Sequence, residues 1–334
     1  MMTSTDHPFS HYLRILGKGP KSRRPLTEEE ASSALEMILQ GNVTDKQLGA
    51  FLLLMRANGE TPEELIGFVK GLRRALSLAS EEPSGADLDW SSYAGKWRYP
   101  PYYLLSAKLL VQNGIRICLH GDEGQFANRH YAQAFMQELG AYEAKSIKDA
   151  RQHIHDGELV YLPLATYAPQ LREILHLKSE LGVRTVFNTA VKLLNPLNAP
   201  CAVQGIYHKG VENLHHAVAI SLGTRRNLVF KGEGGEAEVR PDALTNLFVS
   251  KRDGDEAATE TPQTTPFKGI IDRQVRPETW SSADLMALWR GEREDVYGEA
   301  SVIATTASIL MLLRGLELDM ALMEANKLWQ KRHA

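Results

Sequence analysis

The chain has 334 residues, 43% hydrophobic and 24% charged, which excludes a disordered or fibrous protein and leaves room for two globular domains or one large one. Two cysteines, Cys118 and Cys201, exclude a disulfide framework. Lys plus Arg number 38 against 41 Asp plus Glu, so a formal charge of −3 gives no general affinity for nucleic acid.

The N-terminal part reads as helices. It is polar, with no apolar signal-peptide core, which sets the expectation of a cytoplasmic location. Thr27 with Glu30 and Thr44 with Gln47 fit the capping box, in which a hydroxyl and a side-chain carbonyl satisfy orphan amides at a helix start. Thr61-Pro62-Glu63-Glu64 adds an N-cap followed by proline at the first helical position. Gly41 and Asn58-Gly59 supply stops, and Leu48, Phe51, Leu52 and Met55 recur at helical spacing.

After Pro83 the pattern changes. The apolar runs Ile115 to Leu119, Leu159 to Leu164, Ala202 to Tyr207 and Asn227 to Phe230 predict short buried strands, each followed by a helix-like stretch, and so an α/β domain. Lys251 to Pro277 is polar and reads as an exposed loop or insertion. Ala300 to Leu328 returns to a helical pattern with small residues suited to close packing. Its uncharged run Val302 to Leu313 is too short for the roughly 20 apolar residues of a membrane span, so no membrane anchor is expected.

The charges are segregated along the chain. Between His7 and Thr27 stand Arg14, Lys18, Lys21, Arg23 and Arg24 with no acid, and between Trp90 and Gly121 stand Lys96, Arg98, Lys108 and Arg116, again with none. Leu181 to Lys231 carries Arg184, Lys192, Lys209, Arg225, Arg226 and Lys231 against Glu212 alone. Such segregation permits a basic groove on a neutral protein, although solvated basic faces are also common. Trp90, Tyr93, Trp97, Tyr99, Tyr102 and Tyr103 interleave with Lys96 and Arg98. Aromatic faces stack on bases while cations neutralise phosphates, so Lys96, Trp97 and Arg98 are read as a strand-binding loop, and Tyr102 and Tyr103 as core. His153-Ile154-His155-Asp156 and His215-His216 lack a matching second cluster at ligand spacing and are read as surface histidines, and Cys118 as buried and inert.

Residues 26 to 66, LTEEEASSALEMILQGNVTDKQLGAFLLLMRANGETPEELI, and 181 to 197, LGVRTVFNTAVKLLNPL, resemble anthranilate phosphoribosyltransferase and its relatives, of the class III nucleoside phosphorylase/phosphoribosyltransferase fold. The likeness runs over most of the chain and weakens after about Val249. It implies a small N-terminal helical domain, residues 1–82 completed by roughly 176–200. A larger α/β domain with a mostly parallel central sheet would comprise 83–175 and 201–334. It also implies a homodimer formed through the helical domain.

The resemblance fails at the motifs that would hold the phosphoribosyl pyrophosphate donor. Where that family has a glycine-rich GTGGD loop, this chain carries Ser92-Tyr93-Ala94-Gly95-Lys96-Trp97-Arg98-Tyr99. Its KHGNR stretch becomes Leu119-His120-Gly121-Asp122-Glu123, and its magnesium-binding Asp-Glu pair falls in Lys231-Gly232-Glu233-Gly234-Gly235-Glu236-Ala237-Glu238, which has no adjacent pair. The cation for an anthranilate carboxylate aligns with Lys178. Gly95, His120, Gly121 and Asn188 remain as a residual substrate pocket. The chain is similar to the bacterial anthranilate-phosphoribosyltransferase-like proteins, a branch that lacks the donor motifs and is associated with nucleic-acid binding. That resemblance implies a sequence-tolerant nucleic-acid-binding protein with no catalytic residue, metal or cofactor. The strand would meet Lys18, Lys21, Arg23, Arg24, Lys96, Trp97, Arg98, Lys178, Arg184 and Lys192. The alternative is a phosphoribosyl or pentosyl transferase with an altered donor or acceptor, using magnesium held by Glu233, Glu236 or Glu238.

Overall fold

The computed structural model describes residues 6–78, 85–252 and 261–333. The chain divides into two units, residues 1–80 with 168–194 and residues 81–167 with 195–334. The second helical segment therefore begins earlier than the 176–200 suggested by the resemblance.

In the helical unit, α1 (Ser10–Leu16), α2 (Glu28–Leu39), α3 (Asp45–Asn58) and α4 (Pro62–Ala75) follow one another. Capping boxes close the starts of α2, α3 and α4 at Thr27/Glu30, Thr44/Gln47 and Thr61/Glu64, so each helix begins where a local hydroxyl satisfies its orphan amides. Glu64 also accepts from the amide of Leu26 at 2.9 Å, which pins the entry to α2. Helices α2 and α4 pack closely because α4 carries Gly67, where a Cβ would lie 2.2 Å from the carbonyl oxygen of Glu28. Phe9, Phe51, Phe68 and Phe187 form a chain of ring contacts at centroid distances of 5.4 to 5.9 Å, bringing the segment after Ala168 into the same core. Arg73 donates to the carbonyl of Leu194 and ties down the end of that segment.

The second unit is built on an eight-stranded sheet in the order β3-β4-β2-β1-β5-β6-β7-β8. Its strands are β1 (Leu88–Ser92), β2 (Ile117–Gly121), β3 (Tyr142–Glu143), β4 (Val160–Pro163), β5 (Cys201–Ile206), β6 (Arg226–Lys231), β7 (Thr245–Lys251) and β8 (Gln263–Phe267). The first six pair in parallel, and β7 joins β6 and β8 joins β7 by antiparallel pairing, so β7 alone of the eight runs against the rest. The whole is α/β with a mostly parallel sheet and a small helical unit. Strand β8 corrects the reading of Lys251 to Pro277 as loop throughout. It is an edge strand with a mostly exposed, polar sequence, and so lacks the apolar signal of a central strand. Residues 253–260 of that segment lie outside the described residues.

The helix Val296–Arg314 is long and apolar enough to cross a bilayer, yet 83% of its apolar window is buried inside the protein. Small residues on it allow close approach to α5 (Tyr103–Gln112), where Ser106 Oγ donates to the carbonyl of Val302 at 3.2 Å. Thr305 Oγ1 accepts from the amide of Val239 at 3.0 Å, so its hydroxyl serves a neighbouring loop within the core.

Strand order also fixes where a ligand can approach. From β1 the chain passes to β2 on one side, and the later strand β5 lies against β1 on the other and continues to β6. The loops after β1 and β5 therefore turn in opposite directions and leave a crevice at their carboxyl ends, the topological switch point at which open α/β sheets bind ligands.

Candidate functional site

The loop after β1 is a charge-matched assembly. Gly95 adopts φ of +69°, a left-handed conformation that turns the chain, and the amides of Ala94 and Gly95 both donate to one oxygen of Glu236, at 2.8 and 2.6 Å. The loop that brings Glu236 there is seated on β5 at Gly205, where a Cβ would lie 2.2 Å from the Glu236 carbonyl carbon. A buried carboxylate thus occupies the amide pair of this loop.

Next along the chain, Lys96 is fully buried and forms an ion pair with the fully buried Glu238. The other oxygen of Glu238 accepts from the amide of Tyr103 at 2.9 Å, at the start of α5, where the helix dipole favours an anion. Burial pushes the Glu238 carboxyl up to about 7, against the lowering pull of Lys96. Lys96 therefore cannot present its ammonium to a strand, which corrects its assignment as a nucleic-acid contact. Of the three acids expected to hold magnesium, Glu238 has donors on both oxygens and Glu236 on one, whereas the buried Oε1 of Glu233 has no hydrogen-bond partner. Among the described residues no group of three or more His, Cys, Asp or Glu side chains is placed to hold a metal.

Trp97 and Arg98 stay half-exposed. The Arg98 guanidinium lies 4.8 Å from the Trp97 ring centroid and that of Arg129 lies 4.1 Å from it, both within cation–π range. Arg129 arrives because Lys96 and His130 exchange backbone hydrogen bonds of 2.8 and 2.7 Å. That bridge joins segments with no local pattern in common, so Arg129 carries no signal of its own in the sequence. The remaining aromatics of the stretch face inward: Trp90, Tyr93, Tyr99, Tyr102 and Tyr103 are all buried, and Tyr99 stacks on Tyr297 at 3.9 Å. Of the six aromatics in this stretch only Trp97 is not buried, and its ring already packs against Arg98, Arg129 and Tyr207.

The residual pocket is closed on its β2 side. His120 is fully buried, with Nε2 3.2 Å from Asp89 and Nδ1 2.9 Å from the Tyr93 hydroxyl, which continues to Tyr167 at 3.3 Å. Burial raises the Tyr93 phenol well above its ordinary range, so it stays protonated. Gly121 is required by contact, since a Cβ there would lie 2.1 Å from the Ser92 carbonyl oxygen. Gly95, His120 and Gly121 belong to this buried network and not to an open pocket. Asn188 lies in the helical unit, where its Oδ1 accepts from the amide of Thr185 at 2.9 Å.

Of the other expected cations, Lys18, Lys21, Arg23 and Arg24 lie exposed on the helical unit, and Arg24 makes a paired contact with both oxygens of Glu30 at 2.6 and 2.7 Å. Lys178, Arg184 and Lys192 are half-buried and already engage other groups of the protein. His215 and His216 are buried, contrary to their reading as surface residues, and His216 bonds to Ser250. Cys118 is buried, and burial raises its thiol well above the usual range, as expected of an inert core cysteine.

Residues 10–76 match the glycosyl transferase family helical bundle domain, and residues 105–328 match the glycosyl transferase family a/b domain. An uncharacterized protein of Aquifex aeolicus is 30% identical over 69% of each chain. The anthranilate phosphoribosyltransferase of Bacillus cereus strain B4264 is 26% identical over 80% of this chain and 77% of its own. In structure, the anthranilate phosphoribosyltransferase of Saccharomyces cerevisiae in complex with PRPP and Mg superposes with a TM-score of 0.78 over 98% of this chain and 94% of its own, at 17% identity.

Proposed function

This chain belongs to the glycosyl transferase family of helical-bundle and a/b domains, and on that anthranilate-phosphoribosyltransferase-like scaffold we propose a sequence-tolerant nucleic-acid-binding protein of the cytoplasm. One observation carries the reading. At the loop after β1, the amides suited to a small diphosphate are satisfied from within by Glu236 and the Lys96 ammonium by Glu238, while Trp97, Arg98 and Arg129 stay half-exposed as a cation–π group. An arriving diphosphate would meet the Glu236 carboxylate in place of free amides, and like charges repel. A polymer needs no such nest, since dispersed cations and a stacking face are sufficient to hold phosphates and bases.

Two surfaces support it, each within its own unit. On the helical unit, Lys18, Lys21 and Arg23 are exposed and have no acidic partner among the described residues. On the α/β unit, Arg98, Lys209 and Lys231 likewise have none. A homodimer through the helical unit, where Leu53 of α3 is 45% exposed, would double these surfaces and give avidity for a long strand.

A second reading, a phosphoribosyl or pentosyl transferase with an altered donor or acceptor, is favoured by family membership and by the 26% identity to a transferase. It requires a diphosphate to displace Glu236 from the loop amides, and magnesium either to use Glu233, whose buried Oε1 has no hydrogen-bond partner, or to displace Lys96 from Glu238. Fluorescence anisotropy of a labelled single-stranded oligonucleotide, titrated at several salt concentrations with phosphoribosyl pyrophosphate and magnesium as competitor, separates the two. Binding that weakens steeply with salt and ignores the competitor supports the first. Absence of strand binding, with calorimetric binding of the competitor, supports the second.

A further inference from the structure

A cleft of about 320 Å³ opens in the α/β unit at the carboxyl ends of β5 and β6, beside the loop after β1. Its volume is near the lower end of the roughly 300–1,000 Å³ of small-molecule sites, enough for one nucleotide but not a dinucleotide. It lies on the β6 side of the switch point, shares Arg98 with the Trp97 cluster, and is lined by Tyr207, whose ring centroid is 6.3 Å from that of Trp97.

Three kinds of group converge on it. Arg98, Lys209 and Lys231 supply positive charge with no acidic partner among the described residues, matching a phosphate dianion. Tyr207 and Phe248 supply aromatic surface for a planar ring. Glu233, 3% exposed, lines the same cleft, and its buried Oε1 has no hydrogen-bond partner. A buried carboxylate oxygen left without a donor is costly, and a ligand hydroxyl would satisfy it. The acids nearby do not cancel the cations: Glu233 lies 3.9 Å from Arg240, and Glu212 accepts from the amide of Gly210 at 2.6 Å.

We infer that this cleft binds a single nucleoside phosphate, its phosphate on Lys209, Lys231 and Arg98, a sugar hydroxyl on Glu233 and its base against Tyr207 and Phe248. The inference is independent of strand binding, because the same chemistry is offered by a free nucleotide and by the 5′-phosphorylated end of a strand.

The test is calorimetric titration of the full chain with adenosine monophosphate, with adenosine and the 2′,3′-dideoxy monophosphate as controls. The monophosphate should bind, adenosine should not, and the dideoxy compound should bind at least about tenfold more weakly, because it lacks the hydroxyl for Glu233. Lys209→Ala with Lys231→Gln, both exposed positions, should lower monophosphate affinity at least about tenfold with the thermal midpoint unchanged. Displacement by a 5′-phosphorylated oligonucleotide but not its 5′-hydroxyl counterpart would identify a strand end as the source. Displacement by neither would identify the free nucleotide. No binding at millimolar monophosphate, or binding unaffected by the two lysine substitutions, overturns the proposal even if strand binding holds.

Discussion

Glu236 and Gly95, 141 residues apart in sequence, are joined by a 2.6 Å hydrogen bond from the Gly95 amide to the Glu236 carboxylate. The same oxygen accepts from Ala94 at 2.8 Å, so the acid behaves as a resident anion in a backbone site. Removing it should expose the site. Glu236→Ala is expected to cost about 1–3 kcal/mol of stability, because two backbone donors lose their acceptor. Inorganic pyrophosphate should raise the thermal midpoint of that variant and not of the parent, as read by differential scanning calorimetry. Equal responses of the two proteins would show that Glu236 does not guard these amides.

Lys96 and Glu238 must be treated as a pair. Glu238→Gln should cost about 3–5 kcal/mol by leaving a buried ammonium alone, whereas Lys96→Met combined with Glu238→Gln should recover most of the loss. Denaturant unfolding of the three proteins measures this. Similar losses in the single and double variants would deny the coupling.

The same carboxyl predicts a pH dependence. Glu238 titrates at about 7 in the folded chain, above the ordinary 4.5, so the folded state keeps a proton that the unfolded state has released. Its contribution is full below about pH 4.5 and is lost as the pH rises through about 7. The double variant should therefore show a flatter decline in thermal midpoint than the parent between pH 5 and pH 8. Parallel curves would refute the assignment.

On the outward face, Arg98→Ala and Arg129→Ala should each lower the salt slope of single-strand binding by about 0.7, the amount expected for one lost phosphate contact. Trp97→Ala should weaken binding by about 1–3 kcal/mol with little change of slope, because stacking is not ionic. Anisotropy titrations over a range of salt concentrations distinguish these effects. A loss of slope on Trp97→Ala, with none on the arginine variants, would place the strand elsewhere.

Gly205→Ala tests how Glu236 is seated. A Cβ at this position would collide with the backbone of Glu236 at 2.2 Å, and neither strand nor loop can yield cheaply. The variant should lose about 1–3 kcal/mol or more and should gain pyrophosphate binding as Glu236→Ala does. Stability and binding both unchanged would show that the loop is less tightly seated than its contacts imply.

Local signals in the sequence were reliable where the physics is local. The boxes at Thr27 and Thr44 and the N-cap at Thr61 involve residues three apart and form as read, and Glu64 completes a third box at Thr61. Strands β2, β4, β5 and β6 were visible because burial on both faces demands continuous apolar runs. Strand β8 was not, because an exposed edge imposes no such demand. The site was less legible than the fold. Lys96 looked like a surface cation because its partner Glu238 lies 142 residues away, and Arg129 was invisible because a single backbone bridge delivers it. Among the aromatics, Trp97 and its buried neighbours differ in orientation, which composition does not encode.

The sealed pair of Lys96 and Glu238 has an evolutionary consequence. Any path to a loop in which Glu238 holds a metal must alter Lys96, and the first step leaves a lone ionisable group in the interior, at a stability cost comparable to a large share of a domain's total. Descendants of this chain are thus held by a ratchet. Mutations on the exposed rim can tune what it binds one at a time, but a metal on Glu238 is reached only through a concerted double change or from a background with stability to spare.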